Sequence, residues 1–145
     1  MPLRPLPLLV ALAFAPVVHA QSGPALRCDP APESIVEKLI CKDEALATLD
    51  RRLADAYKAA TAKAAGEAAS TLVTMQRGWI KGRNECWKDG DVAACVARSY
   101  RQRIAELQAG FRLVEPVGSA RYACPGPTPA EASADYFATD PPTAV

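Results

Sequence analysis

The sequence predicts a small all-α domain, a disulfide-stapled helical bundle or hairpin, followed by a short C-terminal tail that is β-like and incomplete, or disordered. Three observations predict it. Apolar residues recur at spacings of three and four over three long stretches. Cysteines stand at 28, 41, 86, 95 and 124, behind an N-terminal segment built like an export signal. After Val114 the proline density rises, with six prolines in the last 31 residues. The expected boundaries are 1–20 for the signal, 21–114 for the helical domain, and 115–145 for a Pro-rich linker and truncated β-segment.

The export signal comes first. Arg4 supplies its positive end, Leu6 to Val18 carries no charge, and Val18-His19-Ala20 is a small-x-small cleavage site. Cleavage near Ala20-Gln21 would deliver the protein to the periplasm or outside the cell. The apolar run falls short of the roughly 17–25 residues of a membrane span, so no stable membrane insertion is expected. No cysteine adjoins the cleavage site, so no lipid is expected on the new N-terminus.

Gln21 to Pro32 is an irregular lead-in tied down at Cys28. Glu33 to Ile40 carries a short helical signal, with Ile35, Val36, Leu39 and Ile40 on one face. Asp43 is a good N-cap for a second helix, along which Leu46, Leu49, Leu53, Tyr57 and Ala60 recur at helical spacing, up to Gly66. Glu67 to Cys86 forms a third helix, with Leu72, Met75, Gln76, Trp79, Ile80 and Arg83 along one side; Gly78 and Gly82 each weaken it by roughly 1 kcal/mol. Lys88-Asp89-Gly90-Asp91 is a turn. Val92, Val96, Tyr100, Ile104, Leu107, Phe111 and Val114 then mark a last helix that runs to Val114. In the tail, Arg121 to Cys124 and Ala134 to Phe137 read as short strands, which are not stable alone.

In an oxidising compartment the cysteines read as a framework of Cys28, Cys41, Cys86 and Cys95, with Cys124 left unpaired. Four cysteines allow three pairings. The local one closes two short loops, worth roughly 3 kcal/mol for a ~15-residue loop, and its Cys86–Cys95 bridge would staple the last two helices at their tip. Zinc is not expected: there is no CxxC and, once the signal is removed with His19, no histidine. The same absence removes Ser–His and Cys–His catalysis. Asp50, Asp55, Glu85 and Glu106 show no spacing that suggests an acid–base pair, and read as solvated faces and helix ion pairs. The chain is therefore expected to be no enzyme and to carry no cofactor. A formal net charge of +1 gives no field to recruit nucleic acid.

Three residues are candidates for binding: Trp79, Arg83 and Lys88. Trp79 and Arg83 lie one helical turn apart, and Trp and Arg dominate protein hot spots. The competing reading packs Trp79 in the core with Arg83 lying over it. Gln76 is expected to satisfy backbone groups at a helix contact. Tyr57 and Tyr100 are expected at the core edge with wet hydroxyls.

The stretch Ile40-Cys41-Lys42-Asp43-Glu44-Ala45-Leu46, followed by Leu49-Asp50-Arg51-Arg52-Leu53 and Tyr57, resembles the entry motif of the LprI-type lysozyme inhibitor N-terminal domain. Gln76 to Cys86 resembles its second motif, and Cys95, Tyr100, Arg103-Ile104 and Leu107 its last. The resemblance covers Cys28 to Leu107. It implies a disulfide-held helical domain of a periplasmic or secreted protein, with lysozyme as protein partner. Ala120 to Cys124 and Asp135 to Ala144 are similar to the opening of an MliC-type module, a β-barrel inhibitor of c-type lysozymes.

The expected function is thus to protect the cell wall by occupying lysozyme. The helical domain carries a net charge of +3, so long-range attraction does not steer it to a basic lysozyme; local insertion of a cation such as Lys88 between the enzyme's carboxylates would serve. The alternative is an envelope accessory protein that binds anionic envelope polymers without inhibiting lysozyme.

Overall fold

Two polar side chains start the helical body. Ser34 Oγ accepts from the Glu37 N–H at 3.5 Å and opens α1, Ile35–Lys42. Asp43 Oδ1 accepts from the Ala45 and Leu46 N–H groups at 2.9 and 3.1 Å and opens α2, Glu44–Lys63. Each cap satisfies donors that a helix leaves unpaired. These elements belong to a computed structural model that describes residues 25–124 and 130–145. The expected signal, 1–20, lies outside the described residues.

Gly66, at φ +56°, turns the chain into α3, Glu67–Asn84, in a conformation that side-chain-bearing residues rarely adopt. A single 3₁₀ turn, Glu85–Lys88, follows. Asp91 then caps α4, Val92–Gly110, by accepting from the Ala94 N–H at 3.0 Å. This helix ends four residues before the expected Val114. Arg112 turns left-handed at φ +47°, its N–H bonds to the Ala109 carbonyl at 3.1 Å, and the Leu113 N–H reaches back to the Gln108 carbonyl at 2.8 Å. That pair of bonds is a Schellman closure, with arginine where glycine is usual. Phe111 and Leu113 still pack on the core, which is why the apolar period continues past the helix.

The core draws Val36 and Ile40 from α1, Leu46, Leu49 and Leu53 from α2, Leu72 from α3, and Val96, Tyr100, Ile104 and Leu107 from α4. Helices α2 and α4 form its most extensive contact. Ile35, expected on the buried face of the first helix, is instead 67% exposed. Of the three pairings open to the four cysteines, the structure has the local one. Cys28–Cys41 ties the lead-in to α1, and Cys86–Cys95 ties the 3₁₀ turn to the start of α4.

The tail forms an antiparallel sheet, in order β1 (Gly118–Cys124), β2 (Ala130–Phe137) and β3 (Thr143–Ala144). Tyr122 stands opposite Ala132, and Tyr136 lies between Gly118 and Ala144. The strands are longer than the sequence predicts and are strapped to the helices. Phe137 is buried, β3 lies against α4, Arg112 pairs with Asp135, and Arg101 lies 3.8 Å from Asp140. The Lys63 Nζ donates to the Arg112 carbonyl at 2.6 Å, which joins the end of α2 to the same corner. A hairpin that would be marginal alone is thus held by the body it packs on.

Candidate functional site

Helix α3 carries polar side chains inward. Arg83 is 4% exposed, and its guanidinium is fully engaged. Nη1 donates to the Tyr100 hydroxyl at 2.8 Å, Nη2 to Glu37 Oε1 at 3.0 Å, and Nε and Nη2 to Asn84 Oδ1 at 3.1 and 2.9 Å. Tyr100 in turn donates to Asp50 Oδ1 at 2.7 Å, and Asp50 Oδ2 accepts from the Leu26 N–H at 2.7 Å. One chain of bonds therefore links the lead-in and all four helices. Burial pushes the Tyr100 hydroxyl above the ordinary tyrosine range; the Arg83 charge opposes this and the Asp50 bond adds to it.

Trp79 belongs to the same assembly. Its indole N–H donates to the Ser99 carbonyl at 3.2 Å, its ring meets Tyr100 edge-on at 5.2 Å, and Arg83 lies 5.3 Å over it. It also lines a cleft of about 310 Å³ with Leu26, Tyr57, Gln76, Ile80 and Arg83. Three expectations change here. Tyr100 is fully buried with no wet hydroxyl, Asp50 is buried rather than solvated, and Gln76 accepts from Arg103 Nε at 3.0 Å rather than serving backbone groups. The period placed these residues on the inner face, but it does not reveal that their polar atoms satisfy one another.

The network ends at a surface of different character. Asn84 donates to Glu37 at 3.2 Å, which fixes the end of α3 against α1. The next residues form the 3₁₀ turn, clamped by Cys86–Cys95. Trp87 is 54% exposed there, and with Ile35 it flanks a hollow of about 440 Å³ lined also by Ser34, Asn84 and Glu85. Lys88 Nζ lies 5.4 Å from the Trp87 ring centroid and pairs with Glu85. Arg98 and Asp89 form an ion pair at 3.4 Å beside it.

An exposed tryptophan on a cross-linked turn and an exposed isoleucine at the start of α1 beside it gain nothing for the fold, and such rigid apolar anchors are what protein interfaces use. The structure thus separates the three candidates: Arg83 is buried, Trp79 is partly buried against the core, and Lys88 lies at the tip. Trp87 is the residue the sequence reasoning missed. It follows a stapling cysteine and falls on no apolar stripe, and that mismatch was its available signal. The Cys124 side chain lies outside the described part. Among the described residues no cluster of three or more His, Cys, Asp or Glu could hold a metal ion, and no helix is long and apolar enough to cross a membrane.

The family model described as lysozyme inhibitor LprI matches residues 28–107. Lipoprotein LprI of Mycobacterium bovis and Lipoprotein LprI of Mycobacterium tuberculosis are each 33% identical over 143 residues, a stretch covering 94% of this chain and 69% of the relative. No solved structure matches the chain.

Proposed function

The chain belongs to the LprI family of lysozyme inhibitors, and from that membership we propose that it binds a lysozyme and protects the cell wall by occupying the enzyme. It acts by docking, not by chemistry. The observation that carries this reading is the stapled tip, where Trp87 and Ile35 are held out of the core around a hollow.

Trp87 and Ile35 supply the apolar anchor, and Lys88 supplies a cation for carboxylates in the enzyme's cleft. The turn is preorganised by the Cys86–Cys95 bridge and by the bond from Asn84 to Glu37. Little ordering entropy then remains to be lost on docking. The mild positive charge of the helical domain makes this a matter of local fit rather than of electrostatic steering. The reading includes export, with cleavage near Ala20-Gln21 and action in the periplasm or outside the cell.

The test is a wall-lysis assay with purified, oxidised mature protein against several lysozyme classes. Micromolar protein is expected to slow lysis by at least one class. Unchanged lysis in all of them, with both disulfides confirmed by mass mapping, would defeat the proposal.

A further inference from the structure

The outer face of the C-terminal sheet is built unlike the rest of the surface. Side chains alternate along a strand, and the face carrying Phe137 and Asp135 points to the helices, since Phe137 is buried and Asp135 meets Arg112. The opposite face carries Gly118, Ala120 and Tyr122 from β1, Ala132, Ala134 and Tyr136 from β2, and Ala144 from β3. None of these is charged. Tyr122 and Tyr136 are 49% and 38% exposed, and their hydroxyls are in contact.

Their positions dictate how the rings lie. Tyr136 stands opposite Gly118, and Tyr122 is four residues further along β1, roughly 13–14 Å away at ~3.4 Å per residue. Hydroxyls that meet across this gap require both side chains to lean along the strands, over the facing pair Ala120 and Ala134. The floor beneath is alanine and glycine, so no described side chain on this face rises above the rings. The result is an exposed strip that runs aromatic, hydroxyl, aromatic. Each tyrosine O–H has one donor and two lone pairs, and the one bond they share leaves a donor and several lone pairs free.

We infer that this strip binds a neutral polysaccharide chain, whose pyranose rings stack on Tyr122 and Tyr136 and whose hydroxyl or amide groups meet the paired phenols. Stacking suits a sugar because the flat C–H face of a pyranose carries partial positive charge toward the negative face of the aromatic ring. A nucleic acid would need cations along the strip, and among the described residues the face has none. A protein partner would need more area. Two tyrosines of about 150–250 Å² each, exposed to this degree, offer roughly 200 Å² or less, against about 800 Å² per partner in a stable interface. The sheet is strapped to α4, so the strip is presented on a fixed body. The inference does not depend on the lysozyme reading; joined to it, it gives an inhibitor held on the kind of polymer it guards.

The experiment is retention of the full mature protein on chitin beads, with elution by the soluble N-acetylglucosamine hexamer. Wild type is expected to be retained in about 0.5 M salt, where exposed ionic contacts are screened, and released by the hexamer. The Tyr122→Phe/Tyr136→Phe variant should be retained, because its rings remain. Tyr122→Ala/Tyr136→Ala should lose retention at least tenfold, and Tyr122→Val/Tyr136→Val, which keeps strand-forming side chains, should lose it equally with an unchanged circular dichroism spectrum. Trp87→Ala should bind as wild type does. Flow-through of wild type, elution by salt alone, retention of the valine variant, or release by Trp87→Ala would each overturn the inference.

Discussion

The molecule contains two tryptophan–cation pairs, their tryptophans eight residues apart, and uses them in opposite ways. Trp79 and Arg83 face inward from α3, where every polar atom of the guanidinium has a partner. Trp87 and Lys88 sit on the 3₁₀ turn, and both are more than half exposed. Residue type does not distinguish the pairs; position relative to the helix end does. Inside α3 the helical period turns Trp79 and Arg83 toward the neighbouring helices, whereas past Asn84 the tighter turn keeps Cys86 inside and carries Glu85, Trp87 and Lys88 outward. The inner pair therefore holds the fold and the outer pair offers the surface, and substitutions should separate stability from binding cleanly.

The largest effect belongs to the inner pair. Arg83→Ala leaves the Tyr100 hydroxyl, Glu37 and Asn84 short of a shared partner within the helix contact. Breaking a buried, hydrogen-bonded ion pair on one side costs about 3–5 kcal/mol, a large fraction of the stability of a small domain. Urea unfolding should show the midpoint collapse, with lysozyme inhibition per folded molecule unchanged. A midpoint near wild type would mean that the network contributes little and would undo the division of labour.

Trp87→Ala should do the reverse. Its side chain lies largely in water, so the urea midpoint should stay within about 0.5 kcal/mol of wild type. Inhibition should weaken by about 2 kcal/mol, roughly thirtyfold, as for an interface anchor. The check is the inhibition constant set beside the unfolding curve of the same sample.

This contrast also marks what could be read from the sequence. Four helices and their Asp43 and Asp91 caps follow from spacing and local chemistry and recur in the structure, as do the apolar stripes except for Ile35, Met75 and Ile80, which are exposed. The stop of α4 at Gly110 was hidden because Arg112, not glycine, takes the left-handed position and Phe111 keeps the apolar period going. The strand lengths were hidden because the pairing of Gly118 to Cys124 with Ala130 to Tyr136 is non-local, and Phe137 finds its burial only against the assembled helices. At the candidate site, Lys88 was legible from the turn composition. Trp87 was signalled only by its falling on no apolar stripe, and Ile35 not at all, because its exposure depends on how α1 and α3 meet, and no single stretch of sequence contains that contact.

Alkaline pH tests the inner network without removing a side chain. The folded protein raises the Tyr100 pKa above the unfolded value of about 10, so the unfolded chain releases that proton first as pH rises. The associated stability is fully present below about pH 10 and declines above it, by up to about 1.4 kcal/mol per pH unit for one group. Urea midpoints between neutral pH and about pH 11 should fall more steeply for wild type than for Tyr100→Phe, which lacks the titrating group. Parallel curves for the two proteins would show that the hydroxyl does not sit in a site that resists ionisation.

The smallest expected effect is at the edge of the outer pair, and it probes what kind of contact the tip makes. Lys88 is 60% exposed and already shared between Glu85 and the Trp87 ring. A cation so placed contributes at most about 1 kcal/mol to an exposed ion pair, so Lys88→Ala should weaken inhibition by no more than about fivefold. Lys88→Glu should weaken it further, because it would set like charges against Glu85 and against the carboxylates of the enzyme's cleft. Added salt should narrow the gap between these two variants, since screening acts on charge and not on the apolar anchor. Measured at low and high salt, that gap separates a tip that inserts its cation from one that docks through Trp87 and Ile35 alone: charge reversal without consequence at either salt would leave the apolar anchor as the whole of the contact.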